Sequence, residues 1–166
     1  DLRQKQDTIL DQLSGWLREL AIGQTDADLL NTLIGIYREQ AQLAVDVTPF
    51  AQDQLLRQAE GDAAGENESH FGAAERGTHH SQSQRALSDR QWNLASQFEQ
   101  LQSHVSKLEN RPELRDRFVE VAVGSKMRTA ARSLEDTDWQ NVPSQQEEIV
   151  NHLQKLIQLW EPNASL

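Results

Sequence analysis

Between Leu94 and Leu108 the chain places apolar residues at Leu94, Phe98, Leu101, Val105 and Leu108, in steps of four, three, four and three. That rhythm sets all five on one side of an α-helix, the alternation a helix needs to pack on another helix. A strand would need apolar residues at every second position, and this stretch does not offer them. The rhythm returns near both ends of the chain, at Ile9, Leu13, Trp16 and Leu20 and at Ile149, Leu153, Leu156 and Trp160. The predicted fold is all-α, an antiparallel helical bundle of four to five helices with a long flexible linker.

Composition agrees. Hydrophobic residues make up 37% and aromatics 5% of 166 residues, and Gln is abundant. A narrow apolar stripe with a wide solvated face suits such a chain, whereas a sandwich would need more β-branched and aromatic residues. The net charge is −10, and the acidity is spread along the chain: −5 over 1–60, −2 over 61–86 and −3 over 87–166. An acidic surface repels phosphate, which argues against nucleic acid and against anionic membrane surfaces as partners. Cysteine is absent, so disulfides, thiolate catalysis and cysteine metal sites are excluded. No apolar run approaches the ~20 residues of a membrane-spanning helix. The chain begins at Asp1 rather than Met, and is expected to be a piece of a longer protein or a processed product.

In chain order, a first helix over 2–22 is expected to stop at Gly23. Thr25-Asp26-Ala27-Asp28 then reads as a cap for a second helix over about 26–47, carrying Leu30, Leu33, Tyr37, Ala41 and Ala44 on one stripe with Leu29, Ile36 and Leu43 beside it. The loop between them is short, so 1–60 is expected to form a helical hairpin. Thr48-Pro49 either starts a further short helix or kinks one long one. Residues 61–86, with four glycines and many polar side chains, read as a flexible linker containing histidines. Residues 87–166 read as a three-helix antiparallel unit that either packs with the hairpin into one bundle or stands apart. Its first helix is capped by Ser88 with Gln91 as a capping box. The next runs over about 112–135, with a register shift near Gly124, and the last over 143–160, with Ser144 to Glu147 as a second box.

Three stretches carry a family resemblance. They are Arg3-Gln4-Lys5-Gln6 with Ile9 to Leu13 and Tyr37 to Leu43; Leu87 to Ala95 with Phe98; and Lys126 to Ala131 with Leu134, Gln145 to Glu148 and Leu153. In these the chain resembles large, Gln-rich, mostly helical, membrane-anchored proteins of planctomycete-type bacteria. The resemblance implies a soluble helical segment of an envelope-associated, membrane-tethered protein. It brings no catalytic residues with it.

Each candidate site also has a plainer structural reading. His70, His79 and His80 lie in the linker near Glu66, Glu68 and Glu75, and could hold zinc or copper in a metal- or ligand-binding bundle. Their spacing matches no metal motif, and a solvated polar loop explains them as well. His104 and His152 read as boundary residues of helix stripes. The acidic clusters Asp26 with Asp28, Glu135 with Asp136 and Asp138, and Glu147 with Glu148 fall where acids favour helix starts and turns. No Glu-x-x-His pair, nucleophile elbow or phosphate-cradling loop occurs, so no catalytic residues, cofactor or enzyme activity is expected. The basic residues Arg111, Arg115, Arg117, Lys126, Arg128 and Arg132 are interleaved with acids and read mainly as intrahelical pairs. Trp92, off its stripe, and Trp139, in a turn, are the candidate interaction residues for a protein partner or for self-association. The function expected is a non-enzymatic structural or interaction segment.

Overall fold

The computed structural model describes residues 2–63 and 73–161, and the side chains of 26–60 and 81–161. Five helices occur among them: α1 (Leu2–Ala63), α2 (Ala73–Val105), α3 (Pro112–Val121), α4 (Val123–Glu135) and α5 (Val142–Trp160). Helices α3 and α4 form one leg, so the architecture is an up-and-down four-helix bundle. Each leg packs on the next, α1 on α2, α2 on α4, α4 on α5, and α5 closes the ring against α1. Paired contacts give the directions. Asp26 meets Trp160 and Phe50 meets Trp139, so α5 runs antiparallel to α1. Ser88 meets Glu135 and Glu99 meets Arg128, so α4 runs antiparallel to α2.

The expected hairpin over 1–60 is corrected by a single 62-residue helix. Gly23 lowers helix propensity by about 1 kcal/mol but does not forbid helix. Asp26, expected near a cap, is helix-interior and is drawn sideways to α5. Pro49 also lies inside α1. It is exposed, as is Val45 one turn earlier, whose carbonyl loses its amide partner to the proline ring. The Thr48 hydroxyl meanwhile donates to the Ala44 carbonyl at 2.8 Å. The proline is thus accommodated on the solvent face.

The linker over 61–86 is also corrected. α1 reaches Ala63 and α2 starts at Ala73, which makes 73–86 helical; residues 64–72 lie outside the described ones. Ser88 is therefore no cap. It is buried in mid-helix, and its hydroxyl faces the Ala131 carbonyl and the Glu135 carboxylate. Ser144 does not cap either, since its hydroxyl donates to the Asn141 carbonyl.

The third leg breaks at Ala122, which adopts φ 49°, ψ 42°. The left-handed residue moves the apolar stripe from Leu114, Phe118 and Val121 to Val123, Met127, Ala130 and Leu134, all buried. Gly124, expected at the shift, serves a different need. A Cβ there would lie 3.1 Å from Glu99 Cγ and 3.6 Å from Phe98 Cδ1, so glycine lets α4 approach α2. Helix α4 ends in a Schellman-type turn, with the Asp138 amide donating to the Ser133 carbonyl at 2.9 Å and Thr137 at φ 61°. Left-handed backbone costs a residue with a Cβ about 1–2 kcal/mol, partly offset in glycine by unfolded-state entropy. Ala122→Gly and Thr137→Gly should each raise stability, by about 0.5–1 kcal/mol. Urea denaturation at unchanged slope is the check.

In the core, α1 buries Leu33, Ile36, Leu43, Val47 and Ala51. Of the stripe expected from Leu30, Leu33, Tyr37, Ala41 and Ala44, only Leu33 is fully buried and the others are half-buried, whereas Ile36 and Leu43, expected beside it, belong to the core. The true stripe steps three, four, three, four through Leu33, Ile36, Gln40, Leu43 and Val47. A glutamine in its middle slot broke the apolar pattern and shifted the expected face. α2 buries Leu87, Leu94, Phe98, Leu101 and Val105, and α5 buries Ile149, Leu153, Leu156, Ile157 and Trp160. Each of these large aliphatic or aromatic side chains contributes roughly 1.5–3 kcal/mol through burial.

Candidate functional site

Among the described residues, three buried polar side chains form a group in the interior. Gln40 of α1, Gln91 of α2 and Gln146 of α5 are buried, each at most 1% exposed. Their carboxamides meet at the centre of the bundle. Gln91 Oε1 accepts from Gln40 Nε2 at 3.2 Å and from Gln146 Nε2 at 2.8 Å. Gln91 Nε2 donates to Gln40 Oε1 at 2.9 Å. Gln40 Nε2 also donates to Gln146 Oε1. Every amide in the triad both donates and accepts within it. A buried amide that lost its partners would carry a desolvation cost of about 1–3 kcal/mol, so this layer is stable only when three helices stand in one register. Each glutamine occupies a slot of an apolar stripe: Gln91 falls between Leu87 and Leu94, and Gln146 between Val142 and Ile149. That pattern, a glutamine at a stripe position in three helices, was the legible signal. Sequence reasoning missed it because Gln91 reads locally as the end of a capping box, Gln146 lies inside a second one, and Gln40 interrupts an apolar stripe.

A second arrangement closes one end of the bundle. Asp26 Oδ2 accepts from Arg111 Nη2 at 2.8 Å, and Asp26 Oδ1 accepts from the Trp160 indole Nε1 at 3.1 Å. Arg111 Nη1 donates to the Trp160 carbonyl at 3.1 Å. The Trp160 ring stands edge-on to Phe118 at 6.0 Å, and Phe118 stacks on Phe98 at 5.5 Å. This clasp joins α1, α5, α3 and α2. A cleft of about 360 Å³ opens beside it, lined by Asn110, Arg111, Pro112, Glu113, Leu114 and Leu159.

At the opposite end, Trp92 is half-buried and donates its indole N–H to Glu135 Oε1 at 2.7 Å. Gln84 caps the end of α4 through the Leu134 and Glu135 carbonyls. A cleft of about 470 Å³ lies here, lined by Ser81, Gln84, Arg85, Ser88, Asp89 and Glu135. Trp139 is corrected as an interaction residue. It is 3% exposed and meets Phe50 edge-on at 5.2 Å, because the turn after α4 folds it over the bundle end.

The remaining candidates have structural partners. Arg111, Arg128 and Lys126 reach other helices, to Asp26, Glu99 and Glu148. Only Arg117 with Glu120 and Arg115 with Asp116 pair locally, so the expectation of mainly intrahelical pairs is corrected. The Lys126 ammonium, helped by His152, holds the Glu148 carboxyl below its ordinary range. Arg90, with Gln42, does the same for Asp46. General acid catalysis would need a shift in the other direction. His104 is exposed in the last turn of α2, and His152 lies 3.4 Å from Glu148. His70 lies outside the described residues; His79 and His80 belong to α2, and their side chains lie outside the described ones. Among the described residues no group of three His, Cys, Asp or Glu is placed to hold a metal ion, and no helix is long and apolar enough to cross a membrane.

Fold and interior together define a class: an up-and-down helical bundle with a buried glutamine triad whose amides satisfy one another. Comparison with family models, with curated proteins and with solved structures returns no match.

Proposed function

We propose that this chain is a non-enzymatic structural and protein-interaction segment, a bundle that holds one long helix and offers its face to other helices. The observation that carries this reading is the length of α1. Asp26 stands beside Trp160, the last residue of α5, yet α1 begins 24 positions earlier at Leu2. At 1.5 Å per residue that is about 36 Å of further helix.

The sequence of this upstream part matches a buried helix. Gln6, Ile9, Leu13, Trp16, Leu17 and Leu20 repeat the spacing of Gln146, Ile149, Leu153, Leu156, Ile157 and Trp160. In α5 those are the buried positions. A helix patterned this way is suited to being covered by other helices, as in helix-in-groove recognition. The partner class is an amphipathic helix, from a second copy or from another protein. The resemblance of the sequence to membrane-anchored bacterial proteins extends the proposal to an envelope-associated parent, in which this segment stands outside the bilayer.

Size-exclusion chromatography with light scattering over a range of concentrations tests it. The expected result is self-association that reverses on dilution and disappears in a Leu13→Asp, Trp16→Asp variant. A compact monomer at every concentration, unchanged in hydrodynamic size and stability by that double substitution, would overturn the reading.

A further inference from the structure

We propose that the Asp26–Arg111–Trp160 clasp is a coupling joint: it fixes the direction and rotation in which α1 passes out of the bundle, so that movement of the upstream helix is passed to every leg. The inference needs no partner and goes beyond the reading above. Asp26 caps nothing, since α1 continues through it to Leu2. Its carboxylate is drawn across to α5, and its side chain is only 16% exposed. Closing the bundle end would need only an apolar residue against Trp160, with no charge to desolvate.

What the carboxylate adds is direction. Two donors on its two oxygens, one an indole and one a guanidinium, fix the plane of the group and hence the rotation of α1 about its axis. Arg111 is itself held at two points. Its second nitrogen binds the Trp160 carbonyl, one of the last carbonyls of α5, which lack partners within the helix. From Trp160 the contact runs through Phe118 of α3 to Phe98 of α2. A turn or pull on α1 at Asp26 therefore reaches α5 through hydrogen bonds, and α3 and α2 through close-packed rings that cannot yield without opening a void.

The absence of cysteine makes the test clean, because labels go only where cysteines are introduced. Spin labels at Ser14→Cys and Ser103→Cys report the upstream helix against the bundle by double electron–electron resonance. Labels at Ser103→Cys and Ser144→Cys report the bundle alone. The expected result is a single narrow distance for the first pair in the otherwise unchanged chain. Its width should roughly double in Asp26→Ala and in Trp160→Phe, which keeps an aromatic ring, though a smaller one, and removes the N–H. The second pair should stay unchanged. If Asp26→Ala disturbs the second pair, Trp160→Phe decides. A first pair already broad in the parent chain, or equally narrow in both variants, would overturn the proposal. So would an equal change in both pairs, since the clasp would then merely hold the bundle together.

Discussion

Replacing Gln91 by Met should lower the unfolding free energy by about 2–4 kcal/mol, whereas replacing Gln40, Gln91 and Gln146 together should leave it within about 1 kcal/mol of the parent chain. Gln91 is the hub of the triad: it accepts from both other amides and donates to one. Met fills nearly the same volume, so the single variant leaves little cavity. Its cost comes from stranding Gln40 Oε1 and Gln146 Nε2 in a dry interior. The triple variant strands nothing and gains three apolar side chains. Stability should therefore be strongly non-additive, with the whole set cheaper to lose than its central member. Urea denaturation of the singles and the triple measures this. Equal costs that sum across the three sites would show that the amides act independently. A loss of sharp spectral dispersion in the triple variant, at full stability, would identify the triad as the device that fixes register.

Phe118→Ala should cost about 3–5 kcal/mol, and Val119→Ala, one residue on, less than about 0.5 kcal/mol. Phe118 is 1% exposed and lies between Phe98 and Trp160, the first ring parallel to it within 6° and the second nearly perpendicular at 80°. Deleting it opens a void that three elements line and that the rigid α2 and α5 cannot both move to fill. Val119 is 62% exposed and has no such role. Thermal and urea unfolding of the two variants give the comparison. A small effect for Phe118→Ala would mean that this end of the bundle can close around the gap. The proposal that it couples the legs would then lose its rigid path.

The legible part of the fold was its periodicity. The stripe at Leu94, Phe98, Leu101 and Val105 is buried as its spacing requires, and so is that at Ile149, Leu153, Leu156 and Trp160; Leu108, expected on the same helix, is buried from the turn that follows α2. Both stripes are long, lack interrupting prolines, and pair apolar with polar residues without ambiguity. Boundaries were less legible. Gly23, Pro49 and Ser88 are breakers or caps by local preference, and in each case the structure carries helix through them. Local preferences amount to about 1 kcal/mol for a glycine and less than that for a serine in mid-helix. Packing of α1 and α2 along the bundle outweighs that readily. The candidate site was illegible for a related reason. Gln40, Gln91 and Gln146 lie 51 and 55 positions apart, and a polar residue on a stripe looks the same whether it faces solvent or two other amides.

By itself the sequence determined that the chain is helical, which faces of α2 and α5 turn inward, that thiol chemistry is excluded, and that the chain is acidic throughout. These follow from composition and spacing, which act locally or on the surface as a whole. Only the tertiary structure decided that α1 is one helix, that the third leg jogs at Ala122, that Trp139 is a plug, and that three glutamines and one clasp tie the legs together. Each of those depends on what lies across the bundle, and partners brought together from distant parts of the chain leave no mark in local spacing.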